Sequence, residues 1–155
     1  MSFLPAPQLK FFADLAVRVT DAQEVGVTPA GRRRVIPISG GEVQGDGWTA
    51  RVLPGGADFQ LIVGATMAKL DARYVLETDA GDLIFVQNSA LRVASEEVTG
   101  KLMRGEPVDP AQVYFRCVPT FETASRSLGW INECIFVGSG IRKPDEVRIT
   151  AYAVR

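Results

Sequence analysis

A chain of 155 residues with 17 basic and 18 acidic side chains has a formal net charge of −1, so it offers no positive field to a phosphate backbone, and nucleic acid is not expected as a partner. It has no histidine and only two cysteines, which excludes Ser-His-Asp and Cys-His machinery, His-containing zinc sites and four-thiolate metal centres. Its longest apolar stretches, around residues 61–63 and 135–137, are strand-sized and far below the roughly 20 residues of a membrane helix, so no membrane partner is expected either.

The first residues, Met1-Ser2-Phe3-Leu4-Pro5, have neither a basic leader with a long apolar core nor a small-residue cleavage site, and a cytoplasmic address is the expectation. From Phe11, the side chains of Phe11, Ala13, Leu15, Val17 and Val19 fall on one face and those of Asp14 and Arg18 on the other, the pattern of a half-buried first strand. Residues 31–43 predict a second strand, interrupted at Pro37, which confines that part to an edge or a bulge, and bent at Gly40-Gly41. On that reading Arg32-Arg33-Arg34 alternate across an edge strand as solvated guards against edge-to-edge pairing rather than forming one anion-binding surface. Gly45-Asp46-Gly47 marks a turn, residues 48–53 alternate again, and Pro54-Gly55-Gly56 reads as a hairpin turn into a strand over 57–63.

Residues 70–78, the turn Asp79-Ala80-Gly81-Asp82 and residues 83–88 make the clearest hairpin in the chain. The segment 95–105 differs: Ser95 as a cap, Glu96 and Glu97 in the first turn, Lys101 and Arg104 near the end and Gly105 as a stop predict one short helix. Asp109-Pro110 opens another turn. Strands follow at 113–119, 130–137 and 146–154, with Gly138-Ser139-Gly140 read as a hairpin turn rather than a phosphate loop, since no helix or lysine follows it. Cys117 and Cys134 then lie in different strands, and buried thiols are the preferred reading over a disulfide or a reactive nucleophile.

Many short strands joined by glycine-rich turns, one helix and no βαβ alternation predict an all-β fold. Several strands carry polar residues in alternate positions on both faces. A two-layer sandwich would struggle to bury these, whereas a barrel can hold polar groups around a cavity. The expectation is a single domain over residues 1–155: an antiparallel β-barrel of roughly nine strands with one short helix.

The motifs Gly40-Gly41, Gly55-Gly56-Ala57-Asp58-Phe59-Gln60, Asp71-Ala72-Arg73-Tyr74, Tyr114-Phe115-Arg116, Phe121-Glu122-Thr123, Trp130-Ile131-Asn132 and Phe136-Val137-Gly138, in this order, resemble the uncharacterised bacterial barrel family known as domain-of-unknown-function family 3237. The family often has tryptophan where this chain has Phe59. The resemblance implies a small β-barrel, commonly met as a homo-oligomer, and no agreed reaction, so it carries over no catalytic assignment.

On the strands as predicted, Asp58 shares a face with Gln60, Asp71 with Arg73 and Glu77, Tyr114 with Arg116, and Trp130 with Asn132. If those faces point inward they form one polar pocket for a small organic ligand: an aromatic wall of Tyr114 and Trp130, an arginine fork from Arg73 or Arg116, and Asp58 or Glu122 as the acid or base. Each has a plainer reading. Asp58 can cap the Gly55-Gly56 turn, Arg73 and Arg116 can form cross-strand ion pairs, and Trp130 can be a packed aromatic. Asn132 in mid-strand is the hardest to explain structurally. Three functions follow: a small-molecule-binding barrel, a cofactor-free acid/base enzyme such as an isomerase, cyclase or dehydratase, or a structural barrel filled by its own side chains.

Overall fold

The computed structural model describes residues 1–155. Ten strands form one antiparallel sheet: β1 (Leu9–Val19), β2 (Gln23–Thr28), β3 (Gly31–Gly45), β4 (Thr49–Val52), β5 (Ala57–Val63), β6 (Met67–Thr78), β7 (Leu83–Val93), β8 (Tyr114–Thr123), β9 (Phe136–Arg142) and β10 (Glu146–Val154). Helix α1 (Glu96–Met103) lies between β7 and β8, and a short 3-10 turn, Gly129–Glu133, lies between β8 and β9. No helix is long and apolar enough to cross a membrane.

The sheet closes on itself, because β1 pairs with β10 on one side and with β3 on the other. Two positions in this ring are each shared by two strands. β1 and β2 both run antiparallel to β3, one against its second half and the other against its first, and β4 and β5 divide β3 and β6 in the same way. The result is an eight-position antiparallel barrel, as the alternation predicts, with no long free edge.

Three local expectations are corrected. Pro54-Gly55-Gly56 is not a hairpin turn, since β5 continues in the direction of β4. A Cβ on Gly56 would stand 2.6 Å from the Cβ of Tyr74, so glycine lets this displaced link press against β6. Residues 130–137 are not one strand, and Gly138-Ser139-Gly140 lies inside β9 rather than at a turn. There a Cβ on Gly138 would come within 2.8 Å of Cys117 Sγ, and one on Gly140 within 2.6 Å of the Phe115 ring, so the glycines make room on the inner wall for side chains of β8. Of the two places expected for Pro37, an edge or a bulge, the structure has the bulge: β3 is paired on both sides, and Pro37 sits beside the register shift between Arg18 and Val19, where β1 hands its place to β2.

The two ends of the barrel differ. At the end remote from α1, the rings of Phe12, Phe121 and Phe136 meet at centroid distances of 4.7, 4.9 and 5.0 Å, with Trp48 and Trp130 at 5.3 and 5.5 Å from Phe12 and Ile131 buried beneath. Edge-to-face aromatic packing of this kind fills the volume and seals that end. Toward α1 the inward rows turn polar: β7 presents Ile84, Val86, Asn88, Ala90 and Arg92 in succession, and β5 presents Asp58, Gln60 and Ile62.

The helix forms where its signals place it. Ser95 Oγ accepts the Val98 N–H at 3.1 Å, and Val98, Thr99 and Leu102 are the buried face. Arg34 ties this end together. Its Nε donates to Glu24 Oε1 at 2.7 Å and its Nη2 to the Met103 carbonyl at 3.0 Å, so β2, β3 and the end of α1 are held by one buried guanidinium.

Candidate functional site

A cavity of about 40 Å³ lies inside the barrel, walled by Val17, Val19, Ile38, Leu70, Phe115 and Ile149 among other apolar side chains, with Asp58, Tyr74 and Asn88 as its polar members. Small side chains create the space. Ala72 on β6 and Ala90 on β7 occupy inward positions where a larger residue would fill it. By register, Asp58 is opposite Ala72 and Ala72 is opposite Asn88, so the carboxyl group and the amide lie in one row two strands apart.

Asp58 is held on both oxygens: Gln60 Nε2 donates to Oδ2 at 3.0 Å, and the backbone N–H of Asp71 donates to Oδ1 at 3.2 Å. Burial pushes its carboxyl above the ordinary carboxylate range, against the opposing pull of the Gln60 bond and of the positive charges on Arg92 and Arg142. Arg92 is only 4% exposed, and burial draws its guanidinium down to about 10, with Asp58 opposing and Arg142 and Arg34 adding like-charge repulsion. Arg142 is lowered too, by burial first and by Arg34, with Asp58 and Asp145 opposing. Burial also raises the Tyr74 phenol, and raises the Cys117 thiol to about 11 against the opposing influence of the Asn88 amide and Arg116.

Two acceptors in this region lack partners. The side-chain carbonyl oxygens of Gln60 and Asn88, in residues 2% and 5% exposed, accept no hydrogen bond. Buried polar atoms are normally paired, and an unpaired one costs about 1–3 kcal/mol. The α1 end of the barrel therefore combines a buried carboxyl, two unpaired amide carbonyls and Arg92, an enclosed guanidinium in no ion pair. Such a set can orient a small polar molecule, exchange a proton with it and stabilise negative charge on it.

Of the residues singled out from the sequence, Asp58 and Gln60 lie inside at this end. Others point elsewhere. Arg73 is on the outer face of β6, ion-paired to Asp71 at 3.0 Å, because Ala72 and Tyr74 take the inward positions. Tyr114, Arg116 and Glu122 are exposed on the outside of β8, where Phe115, Cys117 and Phe121 face in. Arg116 stacks over Tyr114, 5.3 Å from its centroid. Trp130 packs on the aromatic seal at the far end and receives Arg155 at 4.9 Å. Asn132 belongs to the 3-10 turn: its Oδ1 accepts the Thr123 N–H at 2.9 Å, and its Nδ2 donates to the carbonyls of Thr123 and Gly129. Its amide is thus fully occupied in pinning that turn to β8, and the single pocket formed by all these residues does not exist.

The sequence reading missed Tyr74, Asn88, Arg92 and Arg142. A signal was available for two of them. The inward stripe Ile84, Val86 continues in period two through Asn88, Ala90 and Arg92, and β7 runs to Val93 rather than stopping at residue 88. Polar residues within an apolar stripe are the ones forced into the interior.

The fold and its interior define a class: a small closed antiparallel barrel, sealed by aromatic rings at one end and holding at the other a mostly apolar cavity with a few polar groups. The chain belongs to the family described as "Protein of unknown function (DUF3237)", whose model matches residues 7–154. It is 42% identical over 150 residues to the UPF0311 protein RPA1785 of Rhodopseudomonas palustris, spanning 97% of this chain and 98% of that one. It is similar to the crystal structure of RPA1785, a conserved protein of unknown function, with a TM-score of 0.93 at 40% identity over 98% of this chain and 100% of that one. A β-barrel like protein from Acinetobacter baumannii matches with a TM-score of 0.86 at 37% identity, covering 100% of both chains. A structure described as an enzyme from Penicillium herquei shares the fold, with a TM-score of 0.74 at 17% identity over 100% of this chain and 99% of that one.

Proposed function

We propose that the barrel interior at the α1 end binds a small organic molecule. The observation that carries this reading is the meeting of Asp58, Tyr74 and Asn88 on a cavity whose remaining walls are apolar, in a barrel whose opposite end is closed by aromatic packing. Ligand pockets are mostly apolar concavities with a few convergent polar groups, and a purely structural interior has no use for unpaired carbonyls. The cavity itself holds only a few atoms, so the rest of the ligand extends toward Arg92 and α1.

The test is a screen of small acids, amides and alcohols read by methyl NMR. Binding in the interior shifts the methyls of Val17, Leu70 and Val147. Responses confined to Leu9, Leu91 and Val118, which line a groove on the outer wall, contradict the reading.

A second reading, an enzyme without a cofactor, is favoured by a buried Asp58, held on both oxygens, at the same end of the barrel as the charges of Arg92 and Arg142. In an isomerisation, the ionised Asp58 takes a proton from the carbon beside a carbonyl, the electron pair moves onto oxygen, an arginine stabilises that enolate, and Asp58 returns the proton at the conjugated carbon. One barrel of this fold, from Penicillium herquei, is described as an enzyme. Turnover by the wild type that Asp58→Asn abolishes while binding persists supports this reading; binding without turnover leaves the binder.

Association of like subunits belongs to the same proposal. Leu9, Leu91, Tyr114 and Val118 expose apolar surface together on the outer wall, more than isolated surface residues require. Light scattering tests it.

A further inference from the structure

We infer that the interior site takes an organic anion, a carboxylate or stabilised enolate, that also carries a hydroxyl or N–H donor, with its charge at Arg92 and its donor turned inward to the carbonyl of Asn88. The inference rests on the proposed binding reading and names the ligand class that reading leaves open.

The first argument is a count of charge. Three buried or part-buried arginines, Arg34, Arg92 and Arg142, act on one another at this end of the barrel, and Arg92 and Arg142 also act on Asp58. Arg34 has its own carboxylate in Glu24. Arg142 donates to the Lys143 carbonyl and has Asp145 as an acidic neighbour besides Asp58. Arg92, the most enclosed of the three, forms no ion pair, and the one acidic side chain acting on it is Asp58. Asp58 itself is engaged by Gln60 and by the Asp71 N–H, and burial opposes its ionisation. Arg92 is therefore a buried positive charge without an ion pair. Buried charges are ordinarily paired or coordinated, and a guanidinium with five donors and no partner matches a carboxylate or enolate oxygen.

The second argument is independent and concerns polarity. Asn88 lines the cavity, and its Oδ1 is buried without a partner. An amide oxygen only accepts, so what completes it must donate. A ligand bearing only carboxylate and hydrocarbon would leave it orphaned, whereas a hydroxyl or N–H would satisfy it. The unpaired Gln60 oxygen repeats the same demand one inward step along from Asp58.

The third argument is spacing. Asn88 and Arg92 point inward from the same strand with Ala90 between them, so their Cα atoms are about 13 Å apart at the usual strand rise. The long arginine arm shortens that span, and the missing side chain at Ala90 leaves it open. A ligand bridging both groups is an extended molecule with an anion at one end and a donor at the other. It is not a compact inorganic ion.

The test uses straight-chain ω-hydroxy acids of graded length, each alongside its acid lacking the hydroxyl and its hydroxy amide, titrated by calorimetry with methyl NMR to locate them. At the best length, the hydroxy acid is expected to bind at least about tenfold more tightly than either analogue, since each lacks one pairing that the site otherwise leaves unmade. Arg92→Met should erase the preference for acid over amide, and Asn88→Ala the preference for the hydroxyl. Arg92→Lys and Asn88→Asp provide folded alternatives should either variant fail to fold, the lysine retaining part of the acid preference and the aspartate retaining the hydroxyl preference. Interior binding with equal affinity for acid and amide overturns the inference and leaves the binding reading standing. No interior binding by any member overturns both.

Discussion

Gln60 donates its side-chain N–H to the Asp58 carboxylate at 3.0 Å while its own carbonyl oxygen, equally buried, receives nothing. The amide is half used. Its used half orients a carboxyl group whose ionisation burial opposes, and its unused half faces a region where a donor is missing. A residue serving packing alone would be leucine, which fills similar volume without the desolvation cost.

The raised Asp58 carboxyl makes stability depend on pH in a stated direction. Its ordinary value is 3.8. Between that and its higher folded value the native state binds more protons than the unfolded chain, so this group's contribution falls as pH rises through the window and is fully retained below it. Asn keeps one of the two acceptors and so loses the bond from either Gln60 or the Asp71 N–H at every pH, but the stability of Asp58→Asn relative to wild type should rise as pH rises above 3.8. Glu24, whose carboxyl is lowered by Arg32 and Arg34 despite its own desolvation, titrates in both proteins and cancels in the comparison. Melting curves of the two across pH check this. A variant less stable by the same margin at every pH would show that the proton is not the source of the effect.

Arg92 should reveal a conflict between stability and binding. Removing an enclosed cation that lacks a partner relieves a desolvation cost, so Arg92→Met is expected to stabilise the unliganded protein by about 1 kcal/mol or more in urea denaturation while weakening anion binding. Loss of stability instead would mean that Arg92 holds α1 or β8 in place.

The aromatic seal should behave as packing and nothing else. Phe12 is 2% exposed and touches four other rings, so Phe12→Ala is expected to cost about 3–5 kcal/mol. Affinity measured well below the variant's melting temperature should stay close to that of wild type.

The outer-wall arginines provide the opposite control. Arg73→Ala and Arg116→Ala remove an exposed ion pair and an exposed stacking contact, each expected to change stability by less than about 1 kcal/mol and to leave interior binding unaltered. A large loss of affinity in either would relocate the site to the outside of the barrel.

How far the sequence revealed this molecule depended on which quantity governed each choice. Alternation fixes faces, and the strands at residues 57–63 and 146–154 and the helix begun by Ser95 stand where local chemistry puts them. Alternation does not say which face is inside. For Tyr114, Arg116 and Glu122, the answer comes from Phe115, Cys117 and Phe121, the larger apolar set on the other face of β8. Glycine and proline misled where their role is close approach rather than turning: Gly56, Gly138 and Gly140 serve neighbours on other strands, which no local window contains. Asn132 is hard to explain in a strand; in its 3-10 turn its amide bonds Gly129 within the turn and the Thr123 backbone of β8. The interior set of Asp58, Asn88 and Arg92 joins β5 to β7, and that juxtaposition exists only once the barrel closes.

The central claim, that a small organic molecule sits inside the barrel toward α1, is tested most directly by filling the space it would use. Ala90→Leu projects a larger apolar side chain into the cavity beside Asn88 without touching any charge. Calorimetry with the tightest binder from the screen should show affinity falling at least about tenfold while the melting temperature stays near that of wild type; Ala90→Val should fall between. Undiminished binding in a folded Ala90→Leu protein would contradict the account.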